Sequence, residues 1–343
     1  MTTPTAVVYP NKHSAHSAVT SSADVVIFGE TLIDEFPSER VVGGAPFNVA
    51  RTLAGLGQRP LLLSRLGQDS AARDVLSEMR RFGLDQSGMQ IDSVRPTGKV
   101  TVELKAASHQ FHILPDQAYD YIDAEQVCSA LTSAFPSKPP RCIYFGSLAQ
   151  RQPTSRAALR AMLASTDALV FLDLNLRDGQ FTPEVIIESL ALANVVKLNE
   201  DELRLLLQQT APGSEDLYIN LEGATSRVAL HTVLLTLINQ FSLQALIVTL
   251  GERGYVYLNQ NGEMLYNSAK TTAIEVVDTV GCGDAFSAVF IVGLLQGWLP
   301  KLALERAHAF ATSICTVRGA VAADMAFYQT WLQLWNQDKE STL

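Results

Sequence analysis

DTVGCGDAFSAVFIVGLL, running from Asp278 to Leu295, decides how the rest of the chain is read. A polar, glycine-rich turn passes directly into an apolar helical pattern carried by Phe286, Val289, Phe290, Val292, Gly293 and Leu295. Gly281 and Gly283 admit backbone angles that let consecutive N–H groups point the same way. The helix that follows brings its positive end to the same place, so the turn is a candidate anion cradle. Asp284 stands at the mouth of that cradle. A carboxylate there repels a phosphate unless it has another task, and the obvious one is to take a proton from a hydroxyl attacking that phosphate.

A second glycine-rich stretch lies far upstream: GGAPFNVARTLAGLG from Gly43 to Gly57, followed by Arg65-Leu66-Gly67-Gln68-Asp69. Paired Gly43 and Gly44 let backbone approach a small ligand, and Pro46 is placed to open a helix carrying Asn48. Asn48 offers a donor and an acceptor to a hydroxylated substrate; the plainer alternative is a helix cap beside a buried amide. Upstream of both, the apolar run Val25 to Phe28 leads through GETLID to Asp34, read as a carboxylate at the ligand edge of an open α/β sheet. Asp34 suits two neighbouring sugar hydroxyls or, more plainly, a solvent-facing turn.

From Ala124 onward helical and strand patterns alternate, which predicts a doubly wound, mostly parallel α/β sheet with helices on both faces. Two strand ends carry polar clusters: Asp173-Leu-Asn-Leu-Arg177, and Asn199-Glu-Asp-Glu202 after Val195 to Leu198. Acids in a first helical turn are also ordinary dipole partners. The stretch 97–114 breaks the rhythm. Val100, Val102 and Leu104 alternate with polar residues, and Ser108-His109-Gln110 is read as the turn of a small antiparallel hairpin laid over the site.

Together these motifs resemble the PfkB/ribokinase-like sugar kinases, whose C-terminal signature usually reads DTxGAGD; Cys282 stands here in the usual Ala position. The Gly43–Gly57 stretch matches the N-terminal signature, and the likeness runs from about Val25 to Ala320. The resemblance implies a ribokinase-like domain over 23–338, with a lid from about 35–43 and 97–116; residues 1–22, rich in Ser, Thr, Ala and Pro, read as a flexible leader. It implies Asp284 as base, with Gly281, Cys282, Gly283 and Arg177 stabilising the transferred phosphoryl group; a surface salt bridge is the alternative for Arg177. Asp34, Gly43, Gly44 and Asn48 would hold the sugar. Asn199, Thr249, Gly251 and Gly254 would lie on the ATP side. Asn199 and Glu202 would organise Mg²⁺ largely through water, and the region of Asp278 allows a monovalent cation, K⁺. The form of the motifs is closest to fructokinase-like members, with ribose and 2-keto-3-deoxygluconate as other acceptors. At a helix start, Cys282 is expected to have a lowered thiol pKa.

Composition bounds what else is possible. The 343 residues are 47% hydrophobic and 18% charged, with a formal charge of −9, which argues against nucleic-acid or membrane-surface binding. Four scattered cysteines without a CxxC suit reduced thiols in the cytoplasm. There is no GxGxxG between an early strand and helix and no GxxxxGK[ST], which excludes a dinucleotide-dependent dehydrogenase and a P-loop kinase. A non-catalytic sugar-binding regulator on the same scaffold would be expected to lack Asp284 or its glycine turn, and both are present. The resemblance implies a small sugar and ATP as partners, and allows a monomer or a homodimer paired through lid strands.

Overall fold

The protein, seen as a computed structural model, is described over residues 24–105, 108–210, 219, 221–267 and 275–340. The expected leader, 1–22, lies outside these. The strands are β1 (Val25–Phe28), β2 (Leu32–Glu35), β3 (Arg40–Gly43), β4 (Pro60–Leu66), β5 (Met89–Ile91), β6 (Gly98–Lys105), β7 (Ser108–Ile113), β8 (Cys142–Gly146), β9 (Leu169–Asp173), β10 (Val195–Asn199), β11 (Ala245–Thr249), β12 (Tyr255–Asn259) and β13 (Met264–Asn267). Nine form the main sheet in the order β13-β12-β11-β10-β9-β8-β1-β4-β5. From β5 to β11 every pairing is parallel, and β12 and β13 close one edge antiparallel.

β1 is the hinge of this winding. The chain leaves it first toward β4 and β5, then returns on its other side through β8, β9, β10 and β11. Such a reversal opens a crevice at the carboxyl ends of the strands. Side chains of β1 alternate between two cores: Val25 and Ile27 face one, Val26 and Phe28 the other. The first core receives helices Ala45–Gly55, Cys282–Gln296 and Pro300–Ile314; the second receives Pro153–Ala164, Glu200–Thr210 and Ala224–Phe241. Because both faces are covered, the central strands read as continuous apolar runs rather than alternating ones.

Helix Cys282–Gln296 is buried from Ala285 to Gly293 without a polar stripe, as expected of a helix enclosed on all sides. It packs most extensively on Pro300–Ile314 and on Ala45–Gly55. Phe310 anchors the outer layer, with its ring 5.5 Å from Trp331 and 6.2 Å from Trp335 on the last helix, Met325–Glu340. The two tryptophans, 5.8 Å apart, serve packing rather than a stacking platform.

The small second sheet, β3-β2-β6-β7, differs in detail from expectation. Asp34 does not extend β1: the chain breaks at Gly29, with φ 151°, and re-enters as β2 of this sheet, where Asp34 pairs with Val41 and Val100. Nor do Ser108, His109 and Gln110 form a turn; they are strand residues paired with Lys105, Leu104 and Glu103. Their polarity marks a strand outside the main core. The hairpin tip falls on 106–107, outside the described residues.

Phe310→Ala should cost about 3–5 kcal/mol, because it opens a large cavity in the aromatic layer. Urea unfolding checks this; a loss under about 1 kcal/mol would mean that the last helix is not anchored by this ring.

Candidate active site

The carboxyl ends of β1, β9, β10 and β11 open into a cavity of about 540 Å³, roofed by Leu32, Asp34, Val100 and Ile113 of the small sheet. A second cavity of about 670 Å³ adjoins it, lined by Gly254, Val276, Cys282, Phe286, His308 and Cys315 among others. Thr249, Gly251, Thr279 and Gly283 line both, so the glycine turn forms the sill between two chambers.

That sill is held by packing. Gly281 caps the helix in the left-handed region, with φ 77°, and a Cβ there would lie 2.3 Å from the Ala320 carbonyl oxygen. Asp278 ties the turn to the same neighbour: its two carboxylate oxygens accept the N–H groups of Val280 and Gly319, each at 3.0 Å. With the turn fixed, Cys282 N–H donates to the Thr279 carbonyl at 3.4 Å, and the N–H groups of Gly283 and Asp284, in the rest of the first turn, have no intrahelical acceptor.

Asp284, on the first turn, is half-buried and opens onto the first cavity. Burial raises its carboxyl to about 6, helped by the charge of Asp173 and opposed by the Asn48 hydrogen bond, Lys197 and Arg177. Asn48 Nδ2 donates to Asp284 Oδ2 at 2.7 Å. The amide is oriented by Arg51, one turn along the same helix, which donates to Asn48 Oδ1 at 2.6 Å and to the Val42 carbonyl at 3.0 Å. Arg51 is itself buried and paired with Glu78. Nothing in the local sequence marks Arg51 for this task.

Asp34 faces the same cavity from the small sheet, and burial raises it to about 6 against the pull of Arg177 and Arg51. Gly44 lines the cavity with φ 104°, where a Cβ would meet the Glu30 carbonyl oxygen at 2.6 Å. Gly43 does not line it. A Cβ at Gly43 would lie 2.5 Å from Asp34 Oδ2, so its smallness makes room for that carboxylate rather than for a ligand. Arg177 lines the cavity from the exposed loop after β9, and among the described residues no carboxylate is paired with it.

Asn199 and Glu202 cap each other: Asn199 Oδ1 accepts the Glu202 N–H at 2.9 Å, and Glu202 Oε2 accepts the Asn199 N–H at 2.8 Å. Glu202 Oε1 also accepts the Leu176 N–H at 2.8 Å, tying the two strand-end clusters together. Both side chains border the first cavity, and burial raises the Glu202 carboxyl. Glu200 and Asp201 turn outward to arginines.

Under the sill lies an ion pair that the sequence reading missed. Lys197 Nζ donates to both oxygens of Asp173, at 2.8 and 2.9 Å, and Ser287 Oγ donates to Asp173 Oδ2 at 2.7 Å. Both charged residues are buried and reach the cavity. A lysine inside the apolar strand VVKLN was the available signal, since lysine is almost never buried unpaired. The expected lowering of the Cys282 thiol is reversed. Burial beside Cys315 pushes it up, outweighing the helix start.

The chain belongs to the pfkB family of carbohydrate kinases, whose model matches residues 18–325. It is a carbohydrate kinase with a ribokinase-like α/β fold, and it is fructokinase-like. A fructokinase of Klebsiella pneumoniae is 27% identical over 329 residues, covering 87% of this chain and 94% of that one. An uncharacterized sugar kinase of Pyrococcus horikoshii, solved in complex with ATP, superposes with a TM-score of 0.67 at 25% identity, covering 86% of this chain and 93% of that one. A fructokinase double mutant of Vibrio cholerae, solved with fructose, ADP and potassium, gives a TM-score of 0.69 at 23% identity and covers 91% and 99%. Among the described residues no helix is long and apolar enough to cross a membrane.

Asn48→Ala removes the hydrogen bond that lowers the Asp284 midpoint, so that midpoint should rise above its present value by roughly half a pH unit or more. Carboxyl-resolved NMR titration measures it, and an unmoved midpoint would show that the amide does not tune this group.

Proposed function

We propose that the protein transfers the γ-phosphoryl group of ATP to a hydroxyl of a free sugar, with fructose as the first-choice acceptor and the cytoplasm as its setting. The observation that carries this reading is the position of Asp284. It opens onto the chamber holding Asp34 and Asn48, and the residue before it, Gly283, lines the second chamber as well. The first chamber suits the sugar. The second, bordered by Gly254, Val276 and Phe286, suits the nucleotide base, with Thr249 and Gly251 between the two.

The sugar hydroxyl donates its hydrogen bond to the ionised Asp284 carboxylate, which takes the proton as the oxygen attacks the γ-phosphorus in line. The bond to the β–γ bridging oxygen breaks and ADP leaves. Backbone N–H groups of Gly281, Cys282 and Gly283 stabilise the charge on the phosphoryl oxygens, and the fork of Arg177 meets them from the opposite side. Asp34 and Asn48 hold the acceptor, Asn48 while keeping its bond to Asp284. The small sheet over the first chamber excludes water, the competing acceptor. Its outer strands, β3 and β7, are where a homodimer would pair; a monomer needs neither.

Mg²⁺ fits Asn199 and Glu202 through water. Both Glu202 oxygens already accept N–H groups, and among the described residues no cluster of three acidic, His or Cys groups forms a cage. When bound, the ion neutralises charge on the phosphates. A monovalent cation fits less well, because both Asp278 oxygens are occupied by backbone N–H groups, and no step is assigned to it.

ATP consumption with Mg²⁺ across free sugars, sugar acids and nucleosides tests the reading. Turnover on fructose is expected, with kcat/KM rising with pH through about 6 as Asp284 and Asp34 lose their protons. A raised carboxyl acting as base must be deprotonated, so activity is lost on the acid side of that midpoint. Turnover confined to ribose or a sugar acid would replace the acceptor, and no turnover on any of them would contradict the kinase assignment.

A further inference from the structure

Glu30, between β1 and β2, plays no part in the mechanism above, yet it borders the acceptor chamber. Only 3% of its surface is exposed, and its Oε2 atom is sealed from solvent without a hydrogen-bond partner. An orphaned carboxyl oxygen in a protein interior is costly, and such groups are retained where something binds to them. The Tyr119 hydroxyl nearby is also buried and unpartnered, and it feels the charge of Glu30. The position is set by backbone. The Glu30 carbonyl oxygen packs where a Cβ of Gly44 would stand, and the carboxyl takes the Ala45 N–H at the start of the helix carrying Asn48.

We propose that Glu30 is a further acceptor-binding residue, whose carboxyl turns from this sealed position as the sugar enters and hydrogen-bonds an oxygen of the sugar held between Asp34, Asn48 and Asp284. This rests on the sugar-kinase reading of the site. Burial raises the carboxyl to about 7; its own backbone N–H, Arg177 and the Ala45 N–H oppose the rise, and Asp284 adds to it. Tyr144, Tyr119 and Arg151 are the other titratable groups that feel its charge. A bound sugar displaces water from the chamber and so favours the neutral acid, which donates its proton to the sugar oxygen. Acceptor affinity therefore falls as pH rises through about 7, on the opposite side of neutrality from the limb set by Asp34 and Asp284.

The test measures KM for the acceptor and for ATP from about pH 6 to about pH 8 in wild type, Glu30→Gln and Glu30→Ala. In wild type the acceptor KM should rise about fivefold over that range: one proton with a midpoint near the middle gives about tenfold, halved by the part-protonated Asp34 at the acid end. Glu30→Gln keeps a neutral donor and should abolish the rise. Glu30→Ala should raise the acceptor KM by about tenfold or more at every pH, with KM for ATP within about twofold of wild type. An acceptor KM for Glu30→Ala within about twofold of wild type would overturn the assignment. So would acceptor and ATP KM values moving together, which marks a structural role, or a wild-type pH rise persisting in Glu30→Gln. Absence of wild-type turnover on any sugar would overturn the kinase reading and this inference with it; ordinary wild-type turnover with unaffected variants overturns only the role of Glu30.

Discussion

The close approach of Ala320 to Gly281 governs the geometry of this molecule. With the Ala320 carbonyl oxygen 2.3 Å from where a Cβ would sit, and a left-handed φ of 77°, only glycine closes the turn. Asp278 bonds to Gly319 and Val280 and so pins the same junction from its other side. Once the turn is pinned, the buried helix behind it can point only one way, with its N-terminus at the sill between two chambers. The apolar enclosure of that helix and the polar chemistry at its tip are two ends of one constraint.

A second constraint is electrostatic. Glu30, Asp34 and Asp284 face one chamber, and burial raises each of them, to about 7, 6 and 6 respectively. Arg177 is the cation that counters all three, while Lys197 is committed to Asp173 beneath the sill. The carboxylates are thus held near the point where ionisation is decided by what else enters the site. An anionic phosphate or a hydroxyl donor shifts them far more easily than it would shift exposed acids. A site of this kind costs stability when empty, which is the usual expense of preorganised chemistry.

Much of this was legible because glycine and proline report backbone demands directly. Gly281 and Gly44 marked the turns and Pro46 a helix start, whereas Gly283 sits inside the helix Cys282–Gln296 without a positive φ. Pro153 and Pro300 begin helices in the same way. Residues whose task depends on distant partners were harder to see. Arg51 looks like one more polar residue on a helix until Asn48 and Glu78 are placed around it. Gly43 looks like a ligand contact until the Asp34 carboxylate is seen filling its space. Placing Asp34 at the end of β1 failed because a second sheet begins at Leu32, a departure that depends on pairing with β6, far along the chain. The Cys282 thiol was misjudged because a helix start is local and visible, whereas burial beside Cys315 is not.

The claim on which the mechanism stands is that Asp284 removes the proton from the acceptor hydroxyl. Turnover of Asp284→Asn, measured beside its melting temperature and its affinity for an ATP analogue, addresses that claim most directly. The account predicts a loss in kcat of about 10²- to 10⁴-fold, with folding and nucleotide binding intact. A variant with intact folding that turns over within about tenfold of wild type would contradict it and require another base.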